Sequence, residues 1–285
     1  MKLPHLGMHV SAAGGAYRAI AKGEAMGATA IQFFGASPRS YTANLPTPED
    51  AQLFKEDLAK SKIKATFMHA AYLANMASDK ANLRAMSRKN LIAHMKIAEA
   101  YGVDGLIFHP GSYGEQLPEQ GIAHIVEGMK EVLKAVPGSS RLMIENTAAG
   151  GTKLGGVPEE IAAMLDGVDM PDRTGVCLDT AHAFESGIVD DYADEDILKA
   201  FLDRWDSTIG FKRTYALHAN DSKTLAGSHN DKHENIGDGY IGNGGFAALA
   251  ASGAFNHAAW MLEVPGIDGL GPDEENLKRL KACFG

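Results

Sequence analysis

Cysteine is nearly absent: the 285 residues include only Cys177 and Cys283. Two are too few for a disulfide framework, and such sparing use suits a reducing compartment. Cys177 stands between Val176 and Leu178 and reads as a small buried hydrophobe. No apolar run approaches the roughly twenty residues that cross a bilayer. The opening MKLPHLGMHV has no long apolar core of the signal-peptide kind. A cytoplasmic protein with no membrane partner is therefore expected.

An excess of positive charge is lacking as well. The chain has 27 Lys and Arg against 36 Asp and Glu, a net charge of -9, which argues against a protein that holds nucleic acid mainly by bulk electrostatics. That count omits bound metals, and several divalent ions clustered in an acidic pocket would turn it into an anion site. No Pro/Ser-rich stretch, charge block or low-complexity run offers a linker, so one domain over residues 1–285 is expected.

Two catalytic signatures are missing. There is no G-x-S-x-G, and Ser11 and Ser186 have no neighbouring base at a recognisable spacing, so a serine nucleophile has no support. Gly237, Gly239 and Gly242 in GDGYIG fit a G-x-G-x-x-G pattern, but DKHEN precedes them where a hydrophobic strand should stand. The segment reads as a turn-rich loop, and no nucleotide cofactor is expected.

What is present is a repeat of short apolar runs. LGMHV (6–10), AIQFF (30–34), KATFMH (64–69), GLIFHP (105–110), RLMIEN (141–146), GVCLDT (175–180), YALHAN (215–220) and WMLEVP (260–265) read as buried parallel strands. Helix-like segments lie between them: AYRAIAKGEAMG, PEDAQLFKEDLAKSK, NLIAHMKIAEAYG, HIVEGMKEVLKAV, PEEIAAMLDG and DEDILKAFLDRW. Several open with Pro followed by acids, as helix N-termini do. Eight βα units in a chain of this length predict an α/β fold, a (β/α)8 TIM barrel with its active site at the C-terminal ends of the strands.

The last residues of those strands include His9, His69, His109, Glu145, Asp179, His218 and Glu263, so seven of the eight end in a group able to bind metal or carry protons. Two loop motifs add more. In D-T-A-H, Asp179 and His182 can point to adjacent metals; in D-K-H, Asp231 and His233 face one side of an extended segment while Lys232 faces the other. Histidine and carboxylate donors without thiolate suit Zn2+ in a catalytic role, with Mn2+ or Fe2+ as possible substitutes. The donors are too many for one ion. A glutamate such as Glu145 could bridge two, and metals paired about 3.5 to 4 Å apart serve in-line attack at phosphorus. Phosphate ester hydrolysis is the leading reaction class. The remaining histidines, His5, His94, His124, His229 and His257, are assigned to surface or packing roles.

These motifs carry a resemblance. L-H-A-N-D-S-K-T-L-A-G-S-H-N-D-K-H (217–233) matches, at every defined position, the longest motif of the endonuclease IV family of AP endonucleases, and the chain resembles that family from end to end. GVCLDTAH (175–182) fits a second motif except that Ala181 replaces a usual Cys. HAAYLANMA (69–77) fits a third except that Ala74 replaces a larger aliphatic residue. GMHVSAAGG (7–15), FHPGS (108–112), IENTA (144–148) and Leu262 to Pro265 also look like family landmarks.

The resemblance implies three zinc ions: one on His69, His109 and Glu145, a second on Glu145, Asp179, His218 and Glu263, and a third on His182, Asp231 and His233. It implies hydrolysis of duplex DNA on the 5′ side of an abasic site, giving a 3′-hydroxyl and a 5′-deoxyribose phosphate, with clearing of blocked 3′ ends at the same centre. Metal coordination makes water acidic enough to attack near neutral pH, with Glu145 or Glu263 as the catalytic residue that orients or deprotonates it. Extrusion of the abasic sugar is favoured by its lost stacking. Family analogy places Arg39 of SPRSY, Tyr72 and Leu73 in the gap, although Tyr41 stands where the family often has Trp. Lys153, Lys223 and Lys232 lie on candidate DNA-facing loops, which makes local charge positive and predicts salt-sensitive binding. A monomer is the default. Two rivals remain. A metal-dependent sugar isomerase or epimerase would share the strand-end ligands but has no need for His182, Asp231 and His233. A catalytically silent damage-binding module would lack ligands.

Overall fold

The computed structural model describes residues 3–37 and 40–285. Eight parallel strands form a closed barrel: β1 (Leu6–His9), β2 (Ala30–Phe34), β3 (Ala65–His69), β4 (Gly105–Phe108), β5 (Arg141–Glu145), β6 (Thr174–Asp179), β7 (Thr214–His218) and β10 (Ala259–Leu262). They run around the ring in sequence order, and β10 closes it by pairing with both β7 and β1. The loop after β7 carries a small antiparallel ribbon, β8 (Asp221–Ser222) with β9 (His233–Glu234). The helices are α1 (Tyr17–Ala25), α2 (Pro48–Lys60), α3 (Ala81–Tyr101), α4 (Pro118–Ala135), α5 (Pro158–Val168), α6 (Thr180–Glu185), α7 (Glu195–Thr208), α8 (Gly242–Ser252) and α9 (Glu274–Ala282). Among the described residues no helix is long and apolar enough to cross a membrane.

The TIM barrel expected from the sequence is thus the fold. Period-two alternation explains what fills it and where the chemistry sits. Ala30, Phe67, Ile107, Met143, Cys177, Ala216, Ala259 and Met261 form a buried cluster inside the ring. Their neighbours in sequence, such as Leu106, Leu142, Ile144, Val176, Leu178, Leu217 and Trp260, face outward into the larger cluster shared with the helices. Two residues beyond the inner plug, the same inward face reaches the C-terminal end of the barrel. There it carries His69 after Phe67, His109 after Ile107, Glu145 after Met143, Asp179 after Cys177, His218 after Ala216 and Glu263 after Met261. Register sets Asp179 directly beside His218, whereas Glu145 lies beside Cys177, two residues before Asp179, so the ligands climb the barrel in a stagger. One glycine is sterically required, because a Cβ on Gly7 would stand 1.7 Å from the Ala30 carbonyl oxygen of the adjacent strand.

Several element boundaries differ from expectation. β4 stops at Phe108 and β10 at Leu262, so His109 and Glu263 stand just past the ladder. α3 and α4 begin at Ala81 and Pro118, earlier than their apolar-periodic cores suggested, because their first turns are mostly solvent-facing. α6, α8 and α9 were not anticipated. The first is only six residues long, the second, GNGGFAALAAS, is glycine-rich and lacks a polar face, and the third is strongly polar. GDGYIG forms turns leading into α8, as expected of a loop.

Candidate metal centre

Glu145 ends β5 and is fully buried, with imidazoles on both of its oxygens. Oε2 lies 2.9 Å from Nε2 of His69 and 2.9 Å from Nε2 of His109, while Oε1 lies 2.9 Å from Nδ1 of His218. The same nitrogen of His218 is 3.2 Å from Glu263 Oε2 and 3.8 Å from Asp179 Oδ2. Asp179 also begins α6. Its Oδ1 accepts the His182 amide at 2.9 Å, so the carboxylate that caps the helix keeps Oδ2 for the cluster.

His182 and His233 complete a second layer. His182 Nε2 is 3.2 Å and His233 Nε2 3.8 Å from Asp231 Oδ1, and His233 Nε2 is 3.5 Å from Asp179 Oδ2. The extended D-K-H segment does turn Asp231 and His233 to one side, and the exposed Lys232 donates its amide to Glu185.

Among the described residues, three sets of donor atoms lie close enough together to hold a metal: His69, His109 and Glu145; Glu145, Asp179, His218 and Glu263; and Asp179, His182 and His233. The last set differs from the expected His182, Asp231 and His233 by exchanging one carboxylate. His182 Nδ1, the nitrogen nearer Asp179, is engaged at 2.9 Å with the Asn146 carbonyl, which leaves Nε2 aimed at Asp231. Both carboxylates therefore stand close to the free Nε2 atoms of His182 and His233, Asp231 nearer to His182 and Asp179 nearer to His233.

Two observations test the fit to metal. Nε2 of His182 and Nε2 of His233 are buried and make no well-directed hydrogen bond, although Asp231 Oδ1 lies 3.2 and 3.8 Å away, an arrangement that costs energy unless something else occupies the space between them. The donors are also unusually polarised. Burial opposes a charge on Glu145, yet His218 and His109 hold its carboxyl well below the ordinary range. Burial likewise opposes charge on His182, but Asp179, Asp231 and Glu145 push its pKa up to about 10. Carboxylates and imidazoles that hold one another charged in this way are the acidic pocket a cluster of divalent cations fits.

Supporting residues went unnoticed in the sequence. Asn146 takes the Asp179 amide on Oδ1 at 2.6 Å and the His182 ring on its main-chain carbonyl. Asn220 donates to Asp179 Oδ2 at 2.8 Å and accepts the Glu263 amide at 2.7 Å. Each asparagine stands one or two positions past a strand-end ligand, which was the available signal. His9 lies 3.6 Å from Glu263 Oε1 and packs its ring on Phe34, outside the three donor sets.

The cleft above the donors has a volume of about 500 Å3 and is lined in part by Tyr72, Asn75, Ser112, Thr147 and Lys153. Tyr72 is 63% exposed and leans on Phe34 and His69, with ring centroids 5.5 and 5.7 Å away. Leu73, 41% exposed, is steadied by the Tyr41 hydroxyl donating to its carbonyl. Lys223 and Lys232 are near this face on the loop that brings in Asp231, with Lys223 3.3 Å from Glu234. Arg39 lies outside the described residues.

Comparison with known proteins agrees with this geometry. Residues 20–283 match the family described as a xylose isomerase-like TIM barrel. A protein of Thermosipho africanus named probable endonuclease 4 is 35% identical over 263 residues, covering 92% of each chain. The crystal structure of endonuclease IV from Thermus thermophilus is 32% identical, with 99% of each chain covered and a TM-score of 0.85. A D-tagatose 3-epimerase-like protein aligns over 98% of this chain and 96% of its own, with a TM-score of 0.68 but 16% identity, which is a likeness of fold alone. By sequence over nearly its whole length, and by fold, the chain belongs to the endonuclease IV family of AP endonucleases.

Proposed function

We propose that the protein, acting as one catalytic domain, is a zinc-dependent endonuclease that hydrolyses the phosphodiester 5′ to an abasic site in duplex DNA. The products are a 3′-hydroxyl and a 5′-deoxyribose phosphate, and the same centre removes blocking groups from damaged 3′ ends. The observation that carries this reading is Glu145: both of its oxygens are engaged by histidines of two donor sets, with a third set alongside, at the floor of an open cleft.

Three ions would be held by His69, His109 and Glu145; by Glu145, Asp179, His218 and Glu263; and by His182, Asp231 and His233. Zn2+ suits these donors, and Mn2+ or Fe2+ would fit them too. When bound, the ions supply Lewis acidity toward the phosphate and make coordinated water acidic. Glu263 lines the cleft and its side chain is 17% exposed, whereas those of Glu145 and Asp179 are fully buried. Burial works against its ionisation, but His218 and His9 hold its pKa below the usual carboxylate range, so it is ionised and, at the cleft wall, orients an attacking water. Tyr72 and Leu73, exposed at the rim, fill the space left by a missing base, and Arg39 is assigned to the same task. Lys223 and Lys232 contact backbone phosphates, with the chain acting as a monomer.

The test is incision of a duplex oligonucleotide carrying one abasic analogue, with metal content determined on the same sample and Glu263→Gln as the control. Cleavage 5′ to the lesion with about three zinc equivalents, reduced on the order of a hundredfold or more in Glu263→Gln, is expected. Fully metallated protein that leaves the oligonucleotide intact refutes the reading and turns attention to sugar isomerisation.

A further inference from the structure

β2 also sends a residue onto the inward face two positions beyond its plug residue Ala30, and that residue is Gln32. It pairs in register with His9 of β1 and is fully buried. Its Oε1 lies 2.8 Å from Nε2 of His218; its Nε2 lies 2.5 Å from Oε1 of Glu263 and 3.1 Å from Nδ1 of His9. The orientation of the amide follows from chemistry. A carboxylate oxygen can only accept, so the NH2 group must face Glu263, with its second hydrogen directed to His9. The carbonyl then faces His218 and requires a proton on that ring's Nε2.

His218 needs this partner because it is turned the opposite way from other histidines of the cluster. His69 and His182 each donate Nδ1–H to a main-chain carbonyl at 2.9 Å, Ala70 and Asn146 respectively, and present Nε2 to the donor sets. His218 presents Nδ1, at 2.9 and 3.2 Å from Glu145 and Glu263, so its outer nitrogen is Nε2. The acceptor there is a side chain from a strand that is not its neighbour in the barrel. The same amide secures Oε1 of Glu263 and leaves Oε2 turned toward His218.

We infer that Gln32 is a positioning residue: one amide fixes the tautomer of His218 and the rotamer of Glu263 together, and so sets the affinity of the donor set they share with Glu145 and Asp179. This rests on the metal reading proposed above, but concerns binding and not DNA cleavage. Outer partners of ligating histidines typically change metal affinity about 10- to 100-fold when removed.

The test uses Gln32→Met, close in size but unable to hydrogen-bond to either partner, and Gln32→Glu, which keeps an acceptor for His218 but sets a second carboxylate against Glu263. Zinc affinity is measured by competition with a chromophoric chelator, and the hydrogen bond of His218 Nε2–H by 15N NMR of zinc-loaded, histidine-labelled protein. In Gln32→Met one of the zinc equivalents is expected to weaken about 10- to 100-fold, with the His218 signals shifted and the other equivalents unchanged. In Gln32→Glu the His218 signals should return to the wild-type pattern while affinity stays below wild type. If Gln32→Met does not fold, Gln32→Glu alone decides, through lowered affinity with a retained His218 Nε2–H hydrogen bond. Wild-type affinity for every equivalent in the folded variants overturns the inference, as does wild-type protein that takes up no zinc. Zinc-loaded wild-type protein that fails to incise abasic DNA refutes the proposed function and leaves this result standing.

Discussion

The carboxylate of Glu185 accepts the amide of Lys232 at 3.1 Å, across 47 positions of the chain. The same oxygen accepts from Ser222 Oγ at 2.7 Å and Thr224 Oγ1 at 3.2 Å, and the main-chain carbonyl of Glu185 takes the His229 amide at 2.9 Å. α6, which carries His182, thereby grips the segment that delivers Asp231 and His233. Replacing Glu185 with Ala would leave the Lys232 amide without its acceptor, at about 1 to 3 kcal/mol of stability, while Ser222 Oγ keeps the Thr224 carbonyl. It should also free the third donor set, so metal content falls by about one equivalent while His69, His109 and Glu145 keep theirs. Glu185→Gln retains the accepting oxygen and should retain the metal. Denaturant unfolding and metal analysis check both; a Glu185→Ala protein with full metal content would show that the ribbon β8–β9 holds the segment unaided.

Metal removal should make stability sensitive to alkali. In the metal-free protein burial disfavours charge on His69, but the Glu145 hydrogen bond and charge raise its pKa, and His182 is raised to about 10 by Asp179, Asp231 and Glu145 despite its burial. A folded pKa above the unfolded value gives stabilisation that is complete below about 6.5 and lost as pH rises through the folded value. The melting temperature of chelator-treated protein is expected to fall between about pH 6.5 and 10 more steeply than that of zinc-loaded protein, whose ligands are neutral. Adding zinc near pH 8 should release protons. Parallel melting curves for the two forms across this window would refute the assignment.

The parts legible in the sequence are those governed by period two. His69, Glu145, Asp179 and His218 end their strands, so apolar runs terminating in a donor predicted both barrel and centre. Reading only the last residues of each run is also why Gln32 escaped notice: β2 continues to Phe34, and its functional position lies inside the run. Glu185 was hidden for a different reason. Its partners, Ser222, Thr224 and Lys232, are distant in sequence, and a six-residue helix leaves too short a pattern to show which face is buried. Asp179 and Asp231 both approach the pair His182 and His233, and no spacing rule encodes which of the two stands nearer.

Tyr72, proposed above to face the DNA, offers a variant that would separate DNA recognition from metal binding. Its ring rests on Phe34 and His69 but contributes no atom to the donor sets, and more than half of it is exposed. Tyr72→Ala should leave metal content unchanged and stability within about 0.5 kcal/mol of wild type. Affinity for duplex DNA carrying an abasic site should weaken by roughly 1 to 3 kcal/mol, the worth of an aromatic stacking contact, so that KM rises more than kcat falls. Loss of zinc in this variant would mean that the ring serves the centre and not the substrate.

His94 tests the core beneath the site. It lies on α3, fully buried, with neither ring nitrogen hydrogen-bonded, and burial together with the nearby His69 pushes its pKa down to about 4. Here the folded value lies below the unfolded one, so the neutral ring contributes stability that is complete above about pH 6.5 and lost as pH falls toward 4. A shift of this size corresponds to about 3 kcal/mol. His94→Leu fills similar space without a titrating group. Compared as metal-free proteins, so that metal release plays no part, wild type should lose about 3 kcal/mol more than the variant between pH 6.5 and 4. Equal losses would mean that His94 acquires a hydrogen-bond partner when protonated, and that its burial in α3 is not what makes the fold acid-sensitive.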